Sequence, residues 1–150
     1  MRALLQRVSS SSLAIDGETV SSIGNGFLIL LGIEEADNES DVVWLCQKIA
    51  RMRVFPDEGG KMNLSLLDIS GEALVVSQFT LHASTKKGNR PSFLKAAAPA
   101  VSEPLYETFC KVLSAEIGKP VARGVFGADM KVSLTNDGPV TIWLDSRARE

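Results

Sequence analysis

Ser77-Gln78-Phe79-Thr80 sets three neutral hydrogen-bonding side chains almost in a row, directly after the apolar run at 73–76. An extended strand continuing through them would turn Ser77 and Phe79 to one side and Gln78 and Thr80 to the other. Two readings stay open. The segment is either a strand end leaving the core, its hydroxyls supporting the next turn, or a place where backbone N–H groups and a Gln amide bind a developing oxyanion. Neither hydroxyl has a general base nearby in sequence, so a triad-type nucleophile is poorly supported.

The rest of the chain narrows the chemistry. The only histidine is His82, and H-x-x-x-H, G-x-S-x-G, P-loop and G-x-G-x-x-G patterns are missing. Metal, serine-triad and nucleotide-cofactor readings therefore lose their usual sequence support, and no metal or cofactor is expected. His82 follows an apolar strand and reads as a surface group at a strand end. Asp57 and Glu58 fall in a Gly-rich turn and read as solvated acids.

Two further stretches carry information. In Asn136-Asp137-Gly138-Pro139-Val140-Thr141, Asn-Asp-Gly suffices for a turn, and the proline then fixes φ and removes a donor. A trans Gly138–Pro139 bond gives an ordinary hairpin loop; a cis bond would aim the two flanking carbonyl oxygens the same way. Lys86, Lys87 and Arg90 place three cations within five residues of a chain whose net charge is −2. Such a cluster is either a solvated loop or a local surface for phosphate.

These groups need a scaffold, and 150 residues with 45% hydrophobic content suffice for one domain, 1–150, with a full core. Residues 2–8 read as a strand, and Asp16-Gly17 marks a hairpin between apolar runs. Residues 27–33 form a continuous apolar run, as in a strand buried on both faces. Asn38, Ser40 and Asp41 offer caps for a first helix whose core face is Val42, Leu45, Cys46 and Ile49. Residues 53–57 and 72–81 read as strands. A second helix is expected from near Ser102, with Pro104 in its first turn, to a stop at Gly118 and Pro120. Residues 130–145 read as a closing hairpin. The expected class is α+β, a curved mixed sheet with a barrel-like core and two packed helices. Cys46 and Cys110 fall on the helices and read as inert core thiols. The longest apolar stretch is far short of the roughly 20 residues needed to cross a bilayer, and the first residues lack a signal-type core, so a mature cytoplasmic protein is expected.

Taken with Gln6-Arg7-Val8 and Gly60-Lys61-Met62-Asn63, the stretches 77–81, 90–93 and 136–141 resemble the D-aminoacyl-tRNA deacylase (D-tyrosyl-tRNA deacylase) family over essentially the whole chain. The resemblance implies a cytoplasmic homodimer that hydrolyses the ester between a D-amino acid and the terminal adenosine of tRNA. It implies a cis Gly138-Pro139 pair inserted into the partner's pocket beside residues 77–81, excluding L-side chains and admitting glycine. Ser77, Gln78, Phe79 and Thr80 would form the catalytic strand, with oxyanion amides around Gln78 and Phe79. The 2′-hydroxyl of the terminal ribose, rather than a side chain, would assist attack by water. Phe126 and Met130 would line the pocket near the adenosine, or belong simply to the core. Arg7 would brace the Gly-Pro loop, or lie on the strand surface. Lys86, Lys87 and Arg90 are candidates for tRNA backbone contact. Two rivals remain: a non-catalytic dimer binding nucleic acid through the basic loop, and a hydrolase of the same fold acting on small D-amino acid esters or amides.

Overall fold

The computed structural model describes residues 1–149. Its spine is one long strand, β1 (Arg2–Ile15), which joins the strand expected over 2–8 to the apolar run before Asp16-Gly17. Asp16 and Gly17, both at positive φ, turn it back into β2 (Glu18–Ile23). β3 (Gly26–Gly32) then pairs antiparallel with residues 2–8 of β1, while β2 pairs with residues 11–15. β6 (Glu72–Ser77) adds in parallel to β3, and β7 (Ala122–Arg123) in parallel to β6. The small hairpin of β4 (Phe55–Pro56) and β5 (Met62–Leu64) stands apart.

The path β2-β1-β3-β6-β7 curls until its two ends meet. Ser21 on β2 donates to the Arg123 carbonyl on β7 at 2.6 Å. Strand twist accumulates in this way across a sheet, and the result here is nearly a barrel.

Alternation along β3 explains its continuous apolar sequence. Phe27, Ile29 and Leu31 join the core under the helices, whereas Leu28 packs in a second cluster with Val8, Leu13, Leu74 and Val76. β6 divides likewise, with Ala73 and Val75 on the helix side. Helix α1 (Glu39–Arg51) starts at a capping box: Asn38 Oδ1 accepts from the Ser40 N–H, and Asp41 returns a carboxylate to the Asn38 N–H. It buries Val42, Leu45, Cys46 and Ile49 against α2 (Pro99–Ile117), so Leu45→Ala would cost about 2–5 kcal/mol. Burial pushes the Cys46 thiol far above its ordinary range and that of Cys110 up to about 11, which leaves both as unreactive thiols.

α2 begins at Pro99, three residues before the expected start, so Pro104 lies in its interior rather than its first turn. Gly118 closes it in the left-handed conformation. Tyr106 on α2 donates to the Val75 carbonyl at 2.9 Å, pinning β6 two residues before Ser77.

The largest departure from expectation lies at residues 131–145. They form one continuous strand, β8 (Lys131–Asp145), paired with β1 along its length, and not a hairpin. The chain does not reverse at Asn136–Thr141. Instead Gln6 opposes Thr141 and Val8 opposes Asn136, so Asp137, Gly138, Pro139 and Val140 all bulge out opposite Arg7. Within the bulge the Gly138–Pro139 peptide is cis, and Gly138 has φ +116°. No helix of the described residues is long and apolar enough to cross a membrane.

Candidate active site

A cavity of about 510 Å³ opens where the parallel strands β3 and β6 end. Ligands in open α/β sheets gather at the carboxyl ends of strands for the same reason: the ladder stops there and the backbone turns away. Leu31 and Ile33 come from the end of β3, and Val76, Ser77, Gln78 and Phe79 from the end of β6. Ala96 and Ala97 come from the segment leading into α2, Pro99 and Ser102 from its first turn, and the far wall from residues 126–132.

Residues 77–81 are not a continuous strand. β6 ends at Ser77, and Phe79–His82 wind into a 3-10 turn, so the expected two-sided alternation of Ser77, Gln78, Phe79 and Thr80 does not occur. The Gln78 N–H donates to the Leu31 carbonyl at 2.7 Å, extending the parallel ladder by one bond. That amide is therefore committed. The Phe79 and Thr80 N–H groups, at the start of the turn, have no acceptor among the described residues. The first amides of a helical turn are left open in this way.

Gly32 makes the turn possible. A Cβ there would lie 3.0 Å from the Gln78 carbonyl oxygen and from the Leu81 Cβ, and 3.1 Å from the His82 ring. The turn thus sits directly on the β3 backbone. His82 is driven inward by this geometry and is 1% exposed, which corrects the expectation of a surface histidine. Neither ring nitrogen makes a hydrogen bond within the described residues, and Glu34 lies 3.9 Å from Nδ1. Burial holds its pKa below the ordinary 6.5, with Arg2 and the α-amine acting in the same direction and the Gly32 backbone and Glu34 opposing.

The cavity gathers Ser77, Gln78, Phe79, Phe126 and Met130 but leaves other candidates outside. Phe126 also packs on the core under the helices and Met130 on the second cluster, so each both lines the cavity and belongs to a core cluster. Thr80 is exposed and off the cavity wall, its Oγ1 accepting from Gln78 Nε2. Arg7 is 7% exposed rather than a surface cation. Its Nη1 donates to the Val54 carbonyl, and its Nε reaches the Asp137 carbonyl at 3.1 Å and the Asp137 carboxylate at 3.2 Å. Gly138 and Pro139 are exposed at the crest of the bulge and take no part in the cavity of their own chain. Lys86, Lys87 and Arg90 lie exposed on the loop after the 3-10 turn, with no carboxylate within 4.0 Å among the described residues.

A sequence model described as D-Tyr-tRNA(Tyr) deacylase matches residues 4–145, nearly the whole chain. The chain belongs to this family. Curated members named D-aminoacyl-tRNA deacylase are 61% identical in Bacteroides thetaiotaomicron and 60% identical in Chromobacterium violaceum, each over 150 residues and the full length of both chains. Among solved structures, one titled c-Myc DNA Unwinding Element Binding Protein is 40% identical, with TM-score 0.91 over 97% of this chain and 98% of its own. Another, titled as a probable eukaryotic D-amino acid tRNA deacylase, shares the fold at TM-score 0.84 with 17% identity, covering 95% of this chain and 97% of its own.

Sequence reasoning within the family's motifs located the β6 end of the cavity but missed several walls. Leu31 and Ile33 read only as core, and the small residues Ala96 and Ala97 gave as their one signal a run of alanines before Pro99. Asp129, the single acid on the cavity wall, lies in the same stretch as Phe126 and Met130 but carried no expectation of its own; it pairs outward with Lys131 at 2.9 Å. Among the described residues no three His, Cys, Asp or Glu side chains gather in a way that could hold a metal.

Proposed function

We propose that this protein is a D-aminoacyl-tRNA deacylase, hydrolysing the ester that joins a D-amino acid to the terminal ribose of tRNA. The observation that carries the reading is the cavity at the end of β6, built from the family's own motif residues, in a chain about 60% identical to curated deacylases over its full length.

In this mechanism the oxygen of water bonds to the ester carbonyl carbon, the bond to the ribose oxygen breaks, and that oxygen leaves with a proton. Negative charge develops on the carbonyl oxygen in between. The open N–H of Phe79, on the cavity wall, is the donor available to receive it, since the Gln78 amide is already used. Ser77 and Gln78 orient the substrate, and the neighbouring 2′-hydroxyl of the ribose helps activate water. Catalysis then rests on position and on fixed dipoles.

Handedness is read by Gly138 and Pro139 of a second copy, which enter the cavity as a main-chain wall that an L-side chain strikes and a D-side chain avoids. The exposed bulge supports this reading because its crest cannot serve the cavity of its own chain. Arg7, tied to both oxygens of the Asp137 region, braces the crest. Glycine has no side chain to exclude, so mischarged glycyl-tRNA is a second substrate of the homodimer. The enzyme acts where tRNA is charged and used, in the cytoplasm.

Purified protein mixed with D-Tyr-tRNA and with L-Tyr-tRNA tests the whole reading. Release of tyrosine from the D-ester alone is expected. Equal cleavage of both esters would remove the gate, and cleavage of neither would remove the activity.

A further inference from the structure

Phe79 lines the cavity yet is 56% exposed, and the ring of Phe93 meets it edge-to-face, with centroids 5.1 Å apart and planes at 74°. Leu94, next in sequence, is 95% exposed. The Ala96 N–H donates back to the Phe93 carbonyl at 2.9 Å, a tight turn that puts Ala96 and Ala97 in the cavity wall and holds Phe93 and Leu94 at its rim. Immediately before this turn, Ser84 and Ser92 exchange two backbone hydrogen bonds at 2.8 and 2.9 Å and close the loop that carries Lys86, Lys87 and Arg90. One continuous segment therefore presents an apolar, aromatic ledge at the mouth of the cavity, with cations beside it.

We infer that Phe93 and Leu94, with the exposed face of Phe79, form a stacking ledge for the unpaired nucleotides that precede the terminal adenosine of the substrate, whose phosphates face Lys86, Lys87 and Arg90. The inference rests on the deacylase reading and deepens it. Single-stranded nucleic acid is bound by this combination, π-faces that accept any base and cations that follow the backbone. A protein partner is the poorer match, because interface cores are depleted of lysine.

The test compares two D-tyrosyl esters, one on full tRNA and one on adenosine alone, which lacks the preceding nucleotides. The variants are Leu94→Ser, at a position too exposed to affect folding, and Phe93→Leu, which keeps the apolar contact but removes the ring. The double variant is expected to lose about tenfold or more in kcat/KM on the tRNA ester, in line with the stacking value per base. On the adenosine ester it is expected to match the unmodified protein, with an unchanged solution mass. Equal losses on both esters would place Phe93 inside the reaction cavity and overturn the ledge, and the absence of any loss on either ester would overturn it as well. A fall in solution mass would assign these residues to contact between copies and overturn it too. Failure of the unmodified protein on both esters is a separate outcome, one that removes the deacylase reading itself.

Discussion

Thr80 shows how a side chain can look catalytic and stand aside. Its hydroxyl accepts from the Gln78 amide and lies off the cavity wall, with no base near it. Thr80→Ala should keep kcat within about tenfold of the unmodified protein, whereas removal of a true nucleophile costs ~10⁴-fold or more. A 2′-deoxy terminal adenosine should by contrast nearly abolish turnover, which single-turnover kinetics would read directly. His82 matters at the same scale, through stability. Its folded pKa is depressed, so as pH falls through about 6.5 the unfolded chain takes up a proton that the folded chain refuses. Stability is fully present above that pH and declines below it, by up to about 1.4 kcal/mol per pH unit until the folded pKa is reached. Denaturant titrations from pH 7.5 to 5 should show this slope, and His82→Leu should flatten it. The sequence displayed Ser77 and Gln78 plainly because polar residues after an apolar run are conspicuous. The burial of His82 was hidden, because it depends on a strand giving way to a 3-10 turn and on a glycine 50 positions earlier making room.

Elements were legible where local signals suffice and illegible where pairing decides. The Asn38 cap, the Gly118 stop and the Asp16-Gly17 turn were readable because each is settled within a few residues. Residues 136–141 were not. An Asn-Asp-Gly-Pro run signals departure from regular strand in the same way whether the chain then reverses or continues, and only the long-range register with β1 selects the bulge. A second case of long-range control is Gly26, paired with Glu72 across the β3–β6 ladder. A Cβ at Gly26 would lie 1.8 Å from the Glu72 carbonyl oxygen. Gly26→Ala should therefore cost about 3 kcal/mol or more, seen as a large drop in Tm, because neither backbone can yield without breaking the ladder that positions Ser77.

For the molecule as a whole, a net charge of −2 repels a polyanion at long range, so nucleic acid must be held by a local feature. Replacing Lys86, Lys87 and Arg90 together by Ala should raise KM for the tRNA ester and reduce the slope of log KM against log salt by about 2–3. An unchanged slope would put the phosphate contacts elsewhere. The near-closure of the sheet bears on the cavity too. Between β2 and β7 the circuit is completed through the Ser21 hydroxyl, without a strand ladder, and the chain leaving β7 runs straight into the wall carrying Phe126 and Met130. With one hydroxyl bond in place of a ladder, that seam is the join expected to open first. Amide protons at Ala122 and Arg123 should exchange with solvent sooner than those of β3, and each opening would let the cavity wall swell to accommodate side chains of very different bulk.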